Sequence, residues 1–141
     1  MSYLLDKSAW TQAPQSRAAA QRLTDLIRRG DLVLCTITLL EILYSARNGD
    51  AYNRDCARLS SLRWVDLSEP RAAVDLQRGL AQRGWHRTSI PDVIIAATAA
   101  EHDLTVLHYD SDYERLAETA KISHEWIIPR GEGHGRSTEP S

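Results

Sequence analysis

Asp92 opens the run Pro91-Asp92-Val-Ile-Ile-Ala-Ala-Thr-Ala-Ala, which is otherwise almost wholly apolar. Asp6 ends the apolar stretch Ser2-Tyr-Leu-Leu-Asp6, Asp110 follows another at 104–108, and Glu41 stands in Thr38-Leu-Leu-Glu41-Ile-Leu. Each acid has a plain structural use. Thr38 to Glu41 fits the capping-box spacing, Ser89 to Asp92 fits a looser version, and Ser111 to Glu114 fits a third. An acid in a first helical turn also complements the helix dipole. Taken singly, capping is the simpler account of each. Asp6 breaks the pattern, because an acid at the end of a buried strand is costly unless it is paired or bound to a cation. Carboxylates that converge repel one another and raise each other's pKa values. A divalent cation resolves that repulsion, and hard oxygen ligands suit magnesium or manganese. Such an ion orients and activates water against a phosphodiester and stabilises the charge that develops. The acids therefore point to magnesium-dependent phosphoryl transfer, provided the fold brings them together.

Stretches of strand length lie at 2–6, 31–36, 63–67, 104–108 and 125–128. Between them, 16–29 follows helical period, with Ala20, Leu23, Leu26 and Ile27 on one face and Gly30 placed as its stop. Further helices are expected over 38–46, broken by Asn48-Gly49, then over 51–62, 70–84, 91–101 and 112–120, with a loop at 85–90. Strands that alternate with helices imply an α/β fold: three layers, with a central parallel sheet and helices on both faces. Ligands gather beyond the carboxyl ends of such strands. Asp6 and Asp110 fall at that edge after strands, and Glu41 and Asp92 fall close to it at helix starts.

A length of 141 residues suits one domain able to bury about two-thirds of its unfolded surface. That domain is expected over 1–130, with the small, polar segment 131–141 as a disordered tail. No apolar run approaches membrane-spanning length and the first residues lack a signal-peptide pattern, so the expected location is the cytoplasm, without a membrane partner. The two cysteines, Cys35 and Cys56, show neither zinc spacing nor disulfide density and read as reduced and structural. A net charge of −2 argues against coating nucleic acid through global positive charge but leaves room for an acidic metal site with an arginine rim. The five histidines show no ligand spacing, and His108 reads as structural. No glycine-rich phosphate loop or Ser/His/Asp signature supports nucleotide use or acyl transfer.

Four segments carry a family resemblance. Tyr3-Leu-Leu-Asp6-Lys-Ser8-Ala, Thr38-Leu-Leu-Glu41-Ile-Leu-Tyr-Ser-Ala-Arg47, Pro91-Asp92-Val-Ile-Ile-Ala-Ala and Val106-Leu-His-Tyr-Asp110-Ser-Asp112-Tyr113 resemble, in order, the acidic motifs of PIN-domain nucleases. Their spacing and the chain length are similar to the VapC toxins of type II toxin–antitoxin modules, over about residues 2–128. The resemblance implies a PIN-like domain and a magnesium-dependent endoribonuclease, with manganese as a possible substitute. It also implies an RNA substrate, neutralisation by a cognate VapB antitoxin, and a homodimer. Carried over by position, Asp6 and Asp92 are the principal metal ligands. Glu41 and Asp110 complete the catalytic quartet, and Ser8 is a hydrogen-bond partner near the first acid. Lys7 departs from the Thr or Ser usual beside that acid. Asp112 is the second candidate for the fourth acid.

In the loop before Asp92, Trp85 and Arg87 could stack on an unpaired base or meet a phosphate, and Arg47 and Arg83 are further candidates for RNA contact. The simpler reading packs Trp85 on the sheet edge and leaves the arginines solvated. Two other functions are compatible with an acidic α/β edge: a non-catalytic RNA-binding domain whose acids only cap helices, and a receiver- or dehalogenase-type domain phosphorylated on Asp6. The second needs a further acid beside the first strand or an Asp-x-Asp-x-Thr loop, where this chain has Asp6-Lys7-Ser8-Ala9.

Overall fold

The computed structural model describes residues 1–133; the rest of the expected tail, 134–141, lies outside the described residues. The chain runs β1 (Tyr3–Leu5), α1 (Lys7–Trp10), a 3-10 turn (Ala13–Gln15), α2 (Arg17–Arg29), β2 (Leu32–Leu34), α3 (Thr36–Tyr44), α4 (Gly49–Leu59) and β3 (Arg63–Trp64). It continues through α5 (Pro70–Gln82), α6 (Ile90–Glu101), β4 (Thr105–His108), α7 (Asp112–Thr119) and β5 (Ser123–Trp126).

The strands form one parallel sheet in the order β3-β2-β1-β4-β5. From β1 the chain steps outward one way through β2 and β3, then crosses back to lay β4 on the other side of β1. The reversal leaves a crevice beyond the carboxyl ends of β1 and β4. Side-chain alternation along the central strands divides the core in two. Leu4, Val33 and Val106 join Leu80, Val93, Ile95 and Leu116 on one face. Leu5, Leu34 and Leu107 join Leu23, Leu26, Ile42 and Leu59 on the other. The expected three layers are therefore present, and strands covered on both faces explain the unbroken apolar runs.

Local signals place most helix ends. The Ser16 hydroxyl accepts from the Ala19 N–H at the start of α2, and Gly30, at φ 73°, stops it in the left-handed region. Asn48, read as a break, is also the cap of α4, accepting from the Ala51 N–H at 2.8 Å. Buried residues cover almost every side of α6, from Asp92 to Ala99. No helix among the described residues is long and apolar enough to cross a membrane.

Several expectations change. None of the three capping boxes forms. Helix α3 begins at Thr36 rather than at 38, because the Asp66 carboxylate accepts from the Thr36 N–H at 2.8 Å, while the Thr38 hydroxyl donates to the Leu5 carbonyl at 2.8 Å. Ser89 and Ser111 stand at the N-cap positions of α6 and α7, but neither side chain makes a capping bond. The four-residue α1 and the turn after it are too short to show a period. Strand β5 starts at Ser123, ahead of the apolar stretch expected at 125–128, because the backbone of this polar edge strand already pairs with β4 there. The first residues of the expected tail are held, with the Gly131 and Gly133 N–H groups donating to the Tyr109 hydroxyl at 3.0 and 2.6 Å.

Candidate active site

Asp6 follows β1, and its N–H continues the ladder to the Leu107 carbonyl of β4 at 3.0 Å. Its carboxylate is only 3% exposed. Oδ2 accepts from the Ser8 N–H at 2.9 Å and from the Ser8 hydroxyl; Oδ1 accepts from the Tyr113 hydroxyl at 2.7 Å. Ser8 Oγ in turn accepts the Tyr109 N–H at 2.8 Å, tying the end of β1 to the residue after β4. Asp6 thus caps α1 and faces the crevice at once.

Asp92, in the first turn of α6, points inward. The Tyr113 hydroxyl lies 3.3 Å from its Oδ1, while its Oδ2 is buried with no hydrogen-bond partner among the described residues. A capping role would have given that oxygen a backbone N–H. Carboxylate oxygens of Asp92, Asp110 and Asp112 lie within 4.8 Å of one another. Asp110 is oriented by both neighbours: its N–H donates to His108 Nδ1 at 3.0 Å, and its Oδ1 accepts from the Asp112 N–H at 3.0 Å. Both candidates for the fourth acid therefore reach the cluster, and Asp6 is joined to it across the Tyr113 hydroxyl.

Burial pushes the Asp92 pKa up to about 9, and the charges of Asp6, Asp110, Asp112 and Glu41 add to it in that order. Glu41, half-buried on α3, thus acts on the same crevice. Burial also raises Asp6, opposed by its bonds from Ser8 and Tyr113. Tyr113 is held well above its usual range, chiefly by burial and then by the Asp6 charge, so it stays a donor at neutral pH. His108, buried beside His124, is pushed down to about 3 and is neutral.

An unpartnered buried carboxylate oxygen among other carboxylates is unfavourable by itself. An all-oxygen, anionic donor set fits a hard divalent cation, which would satisfy Asp92 Oδ2 and remove the mutual repulsion. Phosphorylation on Asp6 fits poorly, since its carboxylate is buried and both oxygens are engaged.

The RNA candidates separate. Arg47 and Arg87 are exposed. Arg83 donates to the Glu118 carbonyl at 3.1 Å, and Arg83 and Arg115 lie over the Trp85 ring at 5.4 and 5.2 Å. Trp85 itself packs, partly buried, against the core. Tyr113 was in view only as the end of a motif. The signal that could have found it is a tyrosine on the buried face of a helix, whose hydroxyl must find a polar partner. Thr38, which anchors α3 to the end of β1, belongs to the same class.

The PIN domain family profile matches residues 3–119. Ribonuclease VapC21 of Mycobacterium tuberculosis is 39% identical over 133 residues, covering 92% of this chain and 96% of that one. Ribonuclease VapC51 of the same organism is 38% identical over 134 residues, covering 93% and 96%. Among solved structures, VapBC2 from Rickettsia felis bound to a fragment of promoter DNA matches at a TM-score of 0.74, with 19% identity, over 89% of this chain and 98% of that one. That last match is a likeness of fold.

Proposed function

The chain belongs to the PIN-domain family, among the ribonucleases named VapC, and on that footing we propose that it is a magnesium-dependent endoribonuclease toxin. The observation that carries this reading is the buried, unpartnered Asp92 Oδ2 beside Asp110 and Asp112, at the switch point of a parallel sheet. Asp6 and Asp92 are the metal ligands in this reading, with Asp110 and Asp112 supplying further oxygens from the entry to α7 and its first residue. Glu41, from α3, adds negative charge to the site. Magnesium, or manganese in its place, supplies Lewis-acid polarisation of the phosphodiester and a water acidic enough to attack it. The protein's share is positional: Ser8 and Tyr113 orient Asp6, α6 holds Asp92 rigidly, and the His108 ring sets the Asp110 backbone. Both Asp6 oxygens are engaged by Ser8 and Tyr113, which disfavours a covalent intermediate on that carboxylate, so the reading is direct in-line hydrolysis. Arg47 and Arg87 are free to meet backbone phosphates, whereas Trp85 and Arg83 serve the fold first.

The partners in this reading are RNA, a VapB-type antitoxin and a second copy of the chain, in the cytoplasm. The solved relatives are VapBC assemblies, which supports the antitoxin. Leu40 and Tyr44, one turn apart on α3, are 54% and 92% exposed, and Ile90 opens α6, which packs against α3. Those apolar side chains support a homodimer contact.

Asp92→Asn is the direct test. The variant keeps its circular dichroism spectrum, loses RNA cleavage by at least about a hundredfold, since several kcal/mol of charge stabilisation depend on the cation, and no longer arrests growth when induced. Undiminished cleavage by the purified variant sinks the assignment.

A further inference from the structure

Tyr113 is fully buried, packed into the core beneath α6 and stacked on His108 at 4.7 Å between ring centroids. A phenylalanine would fill the same space and make the same stack without burying a hydroxyl, which is costly unless bonded. The hydroxyl is bonded and, among the described residues, only to acids of the site: Asp6 Oδ1 at 2.7 Å and Asp92 Oδ1 at 3.3 Å. We infer that the Tyr113 hydroxyl is a positioning group for the metal site, a single donor set between Asp6 and Asp92 that decides which of their oxygens face a divalent cation. The inference rests on the metal-dependent reading above.

The geometry assigns the oxygens one by one. The hydroxyl has one proton, shared unequally: the shorter distance directs it chiefly at Asp6 Oδ1, with Asp92 Oδ1 as the weaker branch of the same bond. With Oδ2 already taken by Ser8, the Asp6 carboxylate has no freedom to rotate. The longer contact tethers Asp92 by Oδ1 alone and leaves Oδ2 unpartnered. Once a cation holds Asp92 ionised, the donor also lies between two carboxylates that repel. The ring itself is fixed. It stacks on His108, whose Nδ1 accepts the Asp110 N–H and whose Nε2 therefore carries the proton donated to His124 Nδ1 at 2.8 Å. The two stacked rings thus reach Asp6, Asp92 and Asp110.

The test measures manganese binding by calorimetry, thermal stability in EDTA, and RNA cleavage as a function of manganese concentration, for the wild type, Tyr113→Phe and Asp92→Asn. Tyr113→Phe is expected to fold, to keep its melting temperature in EDTA within a few degrees, and to bind manganese about 10–100-fold more weakly, as when a hydrogen-bond partner of a metal ligand is removed. Its cleavage returns toward the wild-type maximum as manganese is raised, which a packing defect would not do. Manganese affinity within twofold of the wild type, or tighter, overturns the inference. The Asp92→Asn arm keeps the two ideas apart. Wild-type affinity in that variant removes the metal site itself, whereas loss there beside intact binding in Tyr113→Phe removes only the role of the tyrosine.

Discussion

Asp92→Asn should make the metal-free protein more stable at alkaline pH, although it removes the residue on which activity depends. The folded pKa of Asp92 is pushed from the ordinary 3.8 to about 9, by burial first and then by the neighbouring acids. A raised folded pKa contributes stability that is fully present below pH 3.8 and lost as pH rises toward 9. Between pH 5 and pH 8 the folded protein keeps a proton on Asp92 that the unfolded chain has released. Stability therefore falls by about 1.36 kcal/mol per pH unit from this group, about 4 kcal/mol over the interval. His108 acts the opposite way below pH 6.5, since its folded pKa is depressed to about 3. The wild-type curve alone therefore mixes the two groups, and the difference between variant and wild type isolates Asp92. Asparagine has nearly the same shape and stays neutral at every pH. At about 3 °C per kcal/mol for a chain of this size, the variant's melting temperature should gain on the wild type by roughly 12 °C between pH 5 and pH 8. The assay is thermal unfolding in EDTA at half-unit pH steps, repeated with saturating magnesium. The cation should raise the wild-type curve most at high pH and leave the variant unmoved. Parallel curves in EDTA, or a variant that loses ground as pH rises, would refute the account of a buried acid without a partner.

Two further perturbations follow from the same structure. Replacing His108 with Asn, whose Oδ1 can still accept the Asp110 N–H, should remove a loss of stability of about 1.36 kcal/mol per pH unit that the wild type suffers from this residue as pH falls below 6.5; urea unfolding between pH 4 and 7 reads it, and an unchanged slope counts against a buried neutral imidazole. Replacing both Arg47 and Arg87 with Ala should weaken binding of single-stranded RNA to the Asp92→Asn background and flatten its salt dependence by about 0.7 per lost phosphate contact. An unaltered salt slope would leave both arginines solvated bystanders.

The convergence of Asp6, Asp92 and Asp110 was readable because alternating strands and helices place strand ends on one edge, whatever the side chains do there. The direction of each side chain was not readable. Thr38 and Ser111 match capping boxes letter by letter and Ser89 matches loosely, yet the Thr38 hydroxyl goes to the Leu5 carbonyl, a partner 33 positions away. A local pattern carries no information about a competitor so distant. The sequence ranks Asp110 ahead of Asp112 because Asp110 directly follows the strand, but the turn between them lets both reach Asp92. Tyr113 reads as one more buried aromatic, since its partner Asp6 lies 107 positions earlier. The extent of β5 was misjudged because Ser123 and His124 are polar edge residues, held by backbone pairing rather than by apolar side chains.

The crossing that lays β4 against β1 also has a consequence for synthesis. Strand β1 leaves the ribosome first, and one of its edges can pair with β2 early, but the other waits for Thr105–His108. At about 5–20 residues per second, a nascent chain spends several seconds with that edge open, the template on which chains mispair. Over the same interval Asp6 lacks both the Leu107 carbonyl above its N–H and the Tyr113 hydroxyl on its carboxylate. The acids meet only when nearly the whole domain has emerged. A chain that stalls or is cut short before α7 therefore lacks Asp112 and Tyr113 from its site, and the acids assemble only once α7 has followed β4 out of the ribosome.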